Sequence, residues 1–287
     1  WVMQMIQKSY EDEFAPAVYL IPTPIGNLQD ITLRAIETLK NVDVVFCEDT
    51  RVTSLLLSHF DIKKKLYSSH KFNEEDNKEK LLSYLKEGKK VGIVSDRGTP
   101  IISDPGYTLV KIALENHYTV IGLPGPTAFV PALIMSGLSP QPFYFYGFLQ
   151  SKEGKRSEEL EQLKKIKDTL IFYEAPHRIM KTLNQMLEVF GNRKICIARE
   201  ISKKFETIYR GTIQEVLASE EEMKGEIVLL VDGNHQPESF DHLTIIEHVN
   251  LYIKEGLKTM DAIKKVSKDR RIPKKEVYEE YHGTRRK

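Results

Sequence analysis

The apolar run Val18-Tyr19-Leu20-Ile21 leads directly into Pro22-Thr23-Pro24-Ile25-Gly26-Asn27. A short apolar run that is followed by proline and glycine is typical of a buried strand ending in a tight loop. Apolar residues then recur at helical spacing over 32–39, with Thr32 as an N-cap, and a second strand is predicted over 42–47. This strand-loop-helix-strand unit indicates an α/β fold.

The same alternation continues through the first half of the chain. The pattern predicts strands at 91–94 and 119–122, helices at 53–59, 78–87 and 107–116, and a polar segment at 70–77. Strands that alternate with helices need crossover connections, which are typical of a mainly parallel sheet.

The pattern in the second half of the chain predicts another α/β or α+β domain, which follows a boundary near 127–142. Its elements are a solvated helix at 151–168, strands at 169–173, 194–199 and 226–231, a helix at 179–190 and a hairpin-like stretch at 205–213. We therefore divide the chain into a lead-in (1–17), an N-terminal α/β domain (18–127), a second α/β domain (128–233) and a basic helical domain (240–287).

The charge of the 287-residue chain is unevenly distributed, although 42 basic residues nearly balance 41 acidic ones. Residues 254–287 hold 12 lysines and arginines and 6 acidic residues, a net charge of +6. Helices predicted over 243–256, 260–269 and 273–281 have the rhythm of a helix-turn-helix, with Pro273 near the start of the last. A nucleic-acid partner and a solvated helical face both explain this charge.

Several classes of protein lack support in the sequence. No apolar run reaches the roughly 18 residues needed to cross a bilayer, and the N-terminus has no secretory pattern. Cys47 and Cys196 lie in apolar, strand-like runs, so we expect buried free thiols and a cytoplasmic protein. Phosphate-loop, dinucleotide, zinc and serine-hydrolase motifs are missing, and no metal site is expected.

Three loops rich in glycine and proline follow predicted strands, at 22–27, 95–106 and 123–127. Loops at the carboxyl ends of parallel strands form the crevice in which ligands bind. One such loop is ordinary turn chemistry. Three of them favour a site that holds an extended ligand through main-chain groups.

Seven sequence blocks occur in the order and spacing of one family. The blocks are 22–28 (PTPIGNL), 48–51 (EDTR), 95–106 (SDRGTPIISDPG), 123–128 (LPGPTA), 172–178 (FYEAPHR), 198–200 (ARE) and 225–226 (GE). The chain resembles the branch of the tetrapyrrole (corrin/porphyrin) methylase superfamily that methylates the ribose 2′-hydroxyl of a decoding-centre cytidine in bacterial small-subunit ribosomal RNA. The resemblance covers about residues 18–282.

The resemblance implies a two-domain methyltransferase, usually a homodimer, that holds S-adenosylmethionine in the cleft between its domains. It also explains the missing fingerprints, because this superfamily holds the cofactor without a G-x-G-x-G loop. Matched motif by motif, the cofactor-binding residues are Pro24, Gly98, Thr99, Pro100, Ile101, Ser103, Thr127, Tyr173, Ala198 and Glu226. The family commonly has alanine where this chain has Arg97, which we expect to be tolerated and to face outward. The alternatives are that Arg97 lies across the cofactor or the RNA phosphate path, or that it is an engineered or natural variant that weakens activity.

A ribose hydroxyl is a poor nucleophile while protonated, so a nearby acceptor would help the reaction. Candidates are Asp49, Asp104 and Glu174, of which we favour Glu174 and Asp104 as catalytic residues. Each is alternatively an N-cap or an ion-pair partner of a nearby arginine. RNA phosphates are expected to bind the basic residues Arg51, Lys264, Lys265, Arg270, Arg271, Lys274 and Lys275.

Two further sets of side chains have both a structural and a functional interpretation. Tyr144, Tyr146 and Phe148 alternate as in a half-buried strand, and aromatic residues also stack on extruded bases. His70 and His177 lie near polar motifs, where a surface or structural histidine is the default and a substrate contact the alternative.

The leading function is ribose 2′-O-methylation of small-subunit ribosomal RNA with S-adenosylmethionine as donor. One alternative is a corrin or porphyrin C-methyltransferase of the same superfamily, whose small anionic substrate gives no reason for the basic tail. A second is a non-catalytic helix-turn-helix regulator that uses the α/β part as a cofactor sensor.

Overall fold

The computed structural model describes residues 6–9, 15–69, 74–219, 223–235, 240 and 243–283. The chain forms two compact units, Trp1–Asn234 and His235–Lys287. Most of the expected lead-in and His70 lie outside the described residues.

The first sheet of the larger unit contains five parallel strands. They are β1 (Ala17–Leu20), β2 (Val44–Cys47), β3 (Lys65–Ser68), β4 (Val91–Ile93) and β5 (Thr119–Gly122). Their order is β3-β2-β4-β1-β5, so β1 and β4 are neighbours inside the sheet. The predicted parallel α/β sheet is confirmed.

Helices cover both faces of this sheet. They are α1 (Leu33–Asn41), α2 (Thr50–His59), α3 (Glu74–Lys86) and α4 (Tyr107–Glu115). Leu39 of α1 and Leu57 of α2 belong to one apolar core, whereas Leu81 of α3 and Leu109 of α4 belong to another. A sheet that is buried on both faces explains why its central strands are continuously apolar.

The second sheet lies in the same unit and is mixed. Its strands are β6 (Phe143–Phe148), β7 (Thr169–Glu174), β8 (Lys194–Arg199), β9 (Thr207–Thr212) and β10 (Ile227–Val231), in the order β6-β7-β10-β8-β9. Strand β6 is parallel to β7, and the other pairs are antiparallel. Helices α6 (Glu153–Leu163), α7 (Ile179–Phe190) and α8 (Ile213–Ala218) cover one face, and α5 (Phe129–Ser136) covers the other.

Three details of this unit differ from the sequence-based expectation. Strand β3 was not predicted, because four residues at the edge of a sheet carry little apolar signal. Helix α3 begins at Glu74, inside the segment expected to be polar loop. Helix α5 lies in the region that was expected to be a domain boundary. Pro131 is compatible with this helix because it lies in the first turn, where a proline is tolerated.

Both cysteines are buried and free, as predicted. Burial raises the pKa of the Cys47 thiol, and it raises the pKa of Cys196 to about 11. The thiols therefore stay protonated and serve as small apolar side chains.

The smaller unit is helical, as predicted. It contains α9 (Ile245–Lys254), α10 (Thr259–Arg270) and α11 (Lys274–Gly283), which share an apolar core that includes Val249, Ile263 and Val277. Arg271 adopts a left-handed conformation that ends α10, and α11 begins three residues later. The three-residue turn is that of a helix-turn-helix. In the part of the chain that the structure describes, no helix is long and apolar enough to span a membrane.

Candidate active site

A cavity of about 600 Å³ lies where loops of the two sheets meet. Loops that follow β2, β4 and β5 supply one wall, and residues at the ends of β7 and β10 supply the other. The loops at 95–106 and 123–127 line the cavity, and the loop at 22–27 contributes Ile25. The carboxyl-end crevice expected from the sequence is therefore present.

Most of the predicted catalytic and cofactor-binding residues line this cavity. They are Gly98, Thr99, Ser103, Asp104, Thr127, Tyr173, Glu174 and Glu226. Four others do not line it: Pro24 and Pro100 are buried within their loops, Ala198 packs in the core beneath α5, and Ile101 forms the turn of its loop.

Backbone pairing fixes the loops against one another. The Thr23 amide donates to the Gly98 carbonyl over 2.9 Å, and the Gly98 amide donates to the Thr23 carbonyl over 3.0 Å. The Thr99 hydroxyl donates to the Pro126 carbonyl over 2.9 Å. Because the main-chain groups of Gly98 already bind Thr23, this glycine shapes the cavity and leaves ligand contacts to its neighbours.

The loop after β4 contains two unusual backbone conformations. Ile101 has φ +78° and Ser103 has φ +67°. A left-handed conformation is rare for a β-branched residue and persists only where the surroundings enforce it. This strained turn brings Asp104 to the cavity wall.

Three carboxylates share this wall: Glu48, Asp96 and Asp104. Burial, with the charges of Glu48 and Asp96, raises the pKa of Asp104 to about 7. Burial, together with the charges of Asp96 and Asp49, also raises the pKa of Glu48. Glu48 and Asp96 were not among the predicted site residues, although both follow strands that are adjacent in the sheet.

Glu174 lines the cavity but is fully engaged by its own neighbours. Its carboxylate accepts the Thr182 hydroxyl over 2.6 Å and the Ala175 amide over 2.8 Å, and it forms an ion pair with Arg178 at 3.2 Å. The side chain is only 1% exposed. These contacts hold the turn between β7 and α7 in place, whereas the Asp104 carboxyl lies among other acids.

A β-bulge directs an aromatic side chain into the cavity. The pairing of β6 with β7 shifts at Gly147, whose φ is +84°. Tyr146 therefore packs on Phe172 in the core, whereas Phe148 lies 5.6 Å from the ring of Tyr173 and lines the cavity. The predicted strand is confirmed, but its strict alternation is wrong, because the bulge moves Phe148 to the opposite face.

Arg97 is exposed, as expected, but it does not simply extend into solvent. Its guanidinium forms an ion pair with Glu226 at 2.6 Å, and both residues line the cavity. The two side chains are 52% and 58% exposed, so the pair contributes little stability.

The predicted RNA-binding residues fall into two groups. Arg51 is exposed beside Asp49 on the larger unit, and the side chains that are exposed on the smaller unit are Lys264, Lys265, Arg271, Lys274 and Lys275. Arg270 is the exception, because its guanidinium donates to His248 Nδ1 and to the carbonyls of Phe240 and Leu243. That guanidinium stabilises the start of α9, and its contacts lie within the smaller unit.

Neither His177 nor a cluster of metal ligands is found at the cavity among the described residues. His177 is exposed and does not line the cavity. Among the described residues, no group of three or more histidine, cysteine or acidic side chains is arranged to hold a metal ion.

Known proteins share both the sequence and the fold of this chain. The family model described as Tetrapyrrole (Corrin/Porphyrin) Methylases matches residues 17–217. The ribosomal RNA small subunit methyltransferase I of Bacillus subtilis (strain 168) is 47% identical, covering 92% of this chain and 94% of the relative. The protein of the same name from Halalkalibacterium halodurans is 46% identical, covering 96% of this chain and 98% of the relative.

Solved structures support the same fold. Uroporphyrin-III C-methyltransferase from Thermus thermophilus, complexed with S-adenyl homocysteine, aligns with a TM-score of 0.55 at 20% identity. It covers 75% of this chain and 97% of its own chain. The methyltransferase CobJ aligns with a TM-score of 0.58 at 17% identity, covering 78% of this chain and 97% of its own.

The fold and the sequence relatives define a methyltransferase in which one parallel and one mixed β-sheet supply the walls of a cavity. The chain belongs to the tetrapyrrole (corrin/porphyrin) methylase family, as the motif resemblance implied.

Proposed function

We propose that this protein transfers a methyl group from S-adenosylmethionine to the ribose 2′-hydroxyl of a decoding-centre cytidine in small-subunit ribosomal RNA. The observation that carries the proposal is the similarity to proteins named ribosomal RNA small subunit methyltransferase I, at 40–47% identity over more than nine-tenths of this chain. The acidic cavity of the larger unit and the basic surface of the smaller unit support it.

The cavity fits the donor in size and charge. Its volume of about 600 Å³ lies within the roughly 300–1,000 Å³ that is typical of small-molecule sites. The carboxylates of Glu48, Asp96 and Asp104 favour a ligand that carries a positive charge. The residues that would hold the donor are Thr99, Ser103, Thr127, Tyr173 and Glu226, with Gly98 shaping the loop. When bound, S-adenosylmethionine supplies a methyl group that its positive sulfur already activates.

Asp104 is the proton acceptor in this proposal. A carboxylate with a pKa near 7 exists in both protonation states at neutral pH, which suits general base catalysis. In its ionised form Asp104 accepts the proton of the ribose 2′-hydroxyl. Glu48 and Asp96 raise the pKa of Asp104 by their negative charge and so strengthen it as a base.

Phe148 supplies an apolar surface for the acceptor nucleotide. Its ring is 54% exposed at the cavity, and Ile102, also partly exposed, lines the same cavity. Exposed aromatic rings beside a reactive site are suited to stack on an unstacked base. We assign Phe148 to the cytosine base, whose ribose then lies near Asp104.

The exposed lysines of α10 and α11 bind RNA phosphates in this proposal. They lie on a helix-turn-helix unit whose core is built from other residues, so the charges are available at the surface. Contacts of this kind position an enzyme on its substrate without reading sequence.

We further propose a homodimer in the cytoplasm. Val130, Ile134 and Phe143 are exposed apolar residues on α5 and β6, which a second copy would cover. The buried free thiols suit a reducing compartment.

The proposed reaction predicts labelling of a defined acceptor. Purified protein, S-adenosylmethionine with a labelled methyl group and small subunits from a strain that lacks the enzyme should yield labelled 2′-O-methylcytidine after nuclease digestion. Uroporphyrin in place of subunits should remain unlabelled. Label on a base carbon, or on uroporphyrin alone, would contradict the proposal.

The proposed role of Asp104 as proton acceptor predicts how the reaction rate depends on pH. The carboxyl must lose its proton to act, so kcat/KM should rise with pH and level off above about 7. Asp104→Asn should lower kcat by about 10²–10⁴-fold at pH 8, while the Kd for S-adenosylmethionine changes only a few-fold. Glu188→Gln on the exposed face of α7 is the matched control. An unchanged pH profile in the Asp104→Asn variant would exclude this role.

The proposed stacking of Phe148 on the cytosine base predicts that removing its ring weakens recognition of the acceptor. Because stacking on a base contributes about 1–3 kcal/mol, Phe148→Ala should raise the KM for small subunits by about 5-fold or more and leave the Kd for S-adenosylmethionine unchanged. Phe148→Tyr should retain activity. Phe205→Ala is the control, since Phe205 is exposed but does not line the cavity. Weaker donor binding at an unchanged KM for subunits would place the ring on the donor instead.

The basic helices predict salt-dependent binding. Replacing Lys264, Lys274 and Lys275 together with alanine should weaken small-subunit binding, and should reduce the slope of log Kd against log salt by about 0.7 or more for each lost phosphate contact. A triple variant at Lys155, Lys165 and Lys181, which are exposed on the larger unit, is the matched control. Equal slopes for the two triple variants would remove the assigned role.

A further inference from the structure

The segment between β8 and β9 reaches from the second sheet to a loop of the first. The Ser202 hydroxyl donates to the Asp30 carboxylate. The stem of Lys203 lies so close to Gly26 that a Cβ on Gly26 would be 2.5 Å from its Cγ and Cε. Glu200 and Ser202 have φ values of +52° and +70°, so packing holds this segment in a costly conformation.

Lys203 joins two carboxylates at the end of this segment. Its ammonium donates to Glu200 Oε1 over 2.9 Å and to Glu226 Oε2 over 2.7 Å. Glu200 Oε1 also accepts the Glu226 amide over 2.9 Å. Lys203 and Glu200 are only 18% and 20% exposed, so solvent screens their pair far less than it screens the pair of Arg97 with Glu226.

The charges of this cluster depend on Lys203. Its ammonium lowers the pKa of Glu200, which therefore stays ionised beside Glu226. Without the lysine, the two carboxylates would face each other, and the ion pair of Glu226 with Arg97 is exposed and weak. Their repulsion would move Glu226, the more exposed of the two, away from the cavity wall that it lines.

We propose that Lys203 is a positioning residue for the donor site, an inference that rests on the proposed use of S-adenosylmethionine. Its ammonium fixes Glu226 at the cavity wall. Its stem holds the 22–27 loop of the first sheet against the second sheet. Lys203 acts through Glu226 and the 22–27 loop, and it is outside the set of residues that line the cavity.

Donor binding by the full-length chain tests this role without any acceptor. Lys203→Met keeps the stem and removes the charge, and it should weaken S-adenosylmethionine binding in isothermal titration by about 10-fold or more. Lys203→Arg, which keeps the charge, should bind the donor more tightly than Lys203→Met. The neighbouring exposed Lys204→Met is the matched control and should stay within about 2-fold of wild type.

A double-mutant cycle separates positioning from general loss of stability. If Lys203 acts through Glu226, the Lys203→Met/Glu226→Gln variant should bind the donor about as well as the weaker single variant. Additive losses would overturn the proposal, and so would wild-type affinity in Lys203→Met or equal affinities in the methionine and arginine variants. Tm values measured alongside identify a variant that has lost its fold, and Lys203→Arg then decides.

The outcomes also separate this proposal from the proposed function. A wild-type protein that binds the donor but methylates no ribosomal particle would refute the assigned acceptor and leave the test of Lys203 intact. A wild-type protein that does not bind the donor would refute both.

Discussion

The paired backbone groups of Thr23 and Gly98 fix the loop that carries the acidic wall of the cavity. Strands β1 and β4 are neighbours in the first sheet, so their loops leave the same edge side by side. Once Gly98 is bound to Thr23, the chain must turn within a few residues, which it does through left-handed Ile101 and Ser103. Asp104 is thereby held beside Glu48 and Asp96, where burial and like charge raise its pKa.

The second sheet contributes to the same cavity by different means. The bulge at Gly147 redirects Phe148, and the strained segment after β8 brings Lys203 against the 22–27 loop. Glu200 and Ser202 keep their left-handed conformations only because rigid surroundings hold them, whereas Gly147 adopts a positive φ without strain. The cavity is therefore assembled from groups that are far apart in sequence. It forms only when the loops of the two sheets are held at fixed positions next to each other.

Asp104 and Glu174 illustrate how far the site was predictable. Both are acidic residues within motif blocks, and the sequence offers no way to separate their roles. In the structure, Thr182, Ala175 and Arg178 occupy the Glu174 carboxylate, whereas Asp104 lies among other acids. The contacts of Arg270 were unpredictable for the same reason, since the acceptors of its guanidinium lie more than 20 residues away in the chain.

The alternation of apolar strands and amphipathic helices was predictable without a structure. So were the parallel sheet, the three terminal helices and the loops at the carboxyl edge. These features are periodic or local, so residue order alone records them. Tertiary structure decided the short edge strand β3, the bulge that turns Phe148, the pairing of Thr23 with Gly98 and the pKa of Asp104. Each of these depends on groups brought together from distant parts of the chain, and only packing sets their distances.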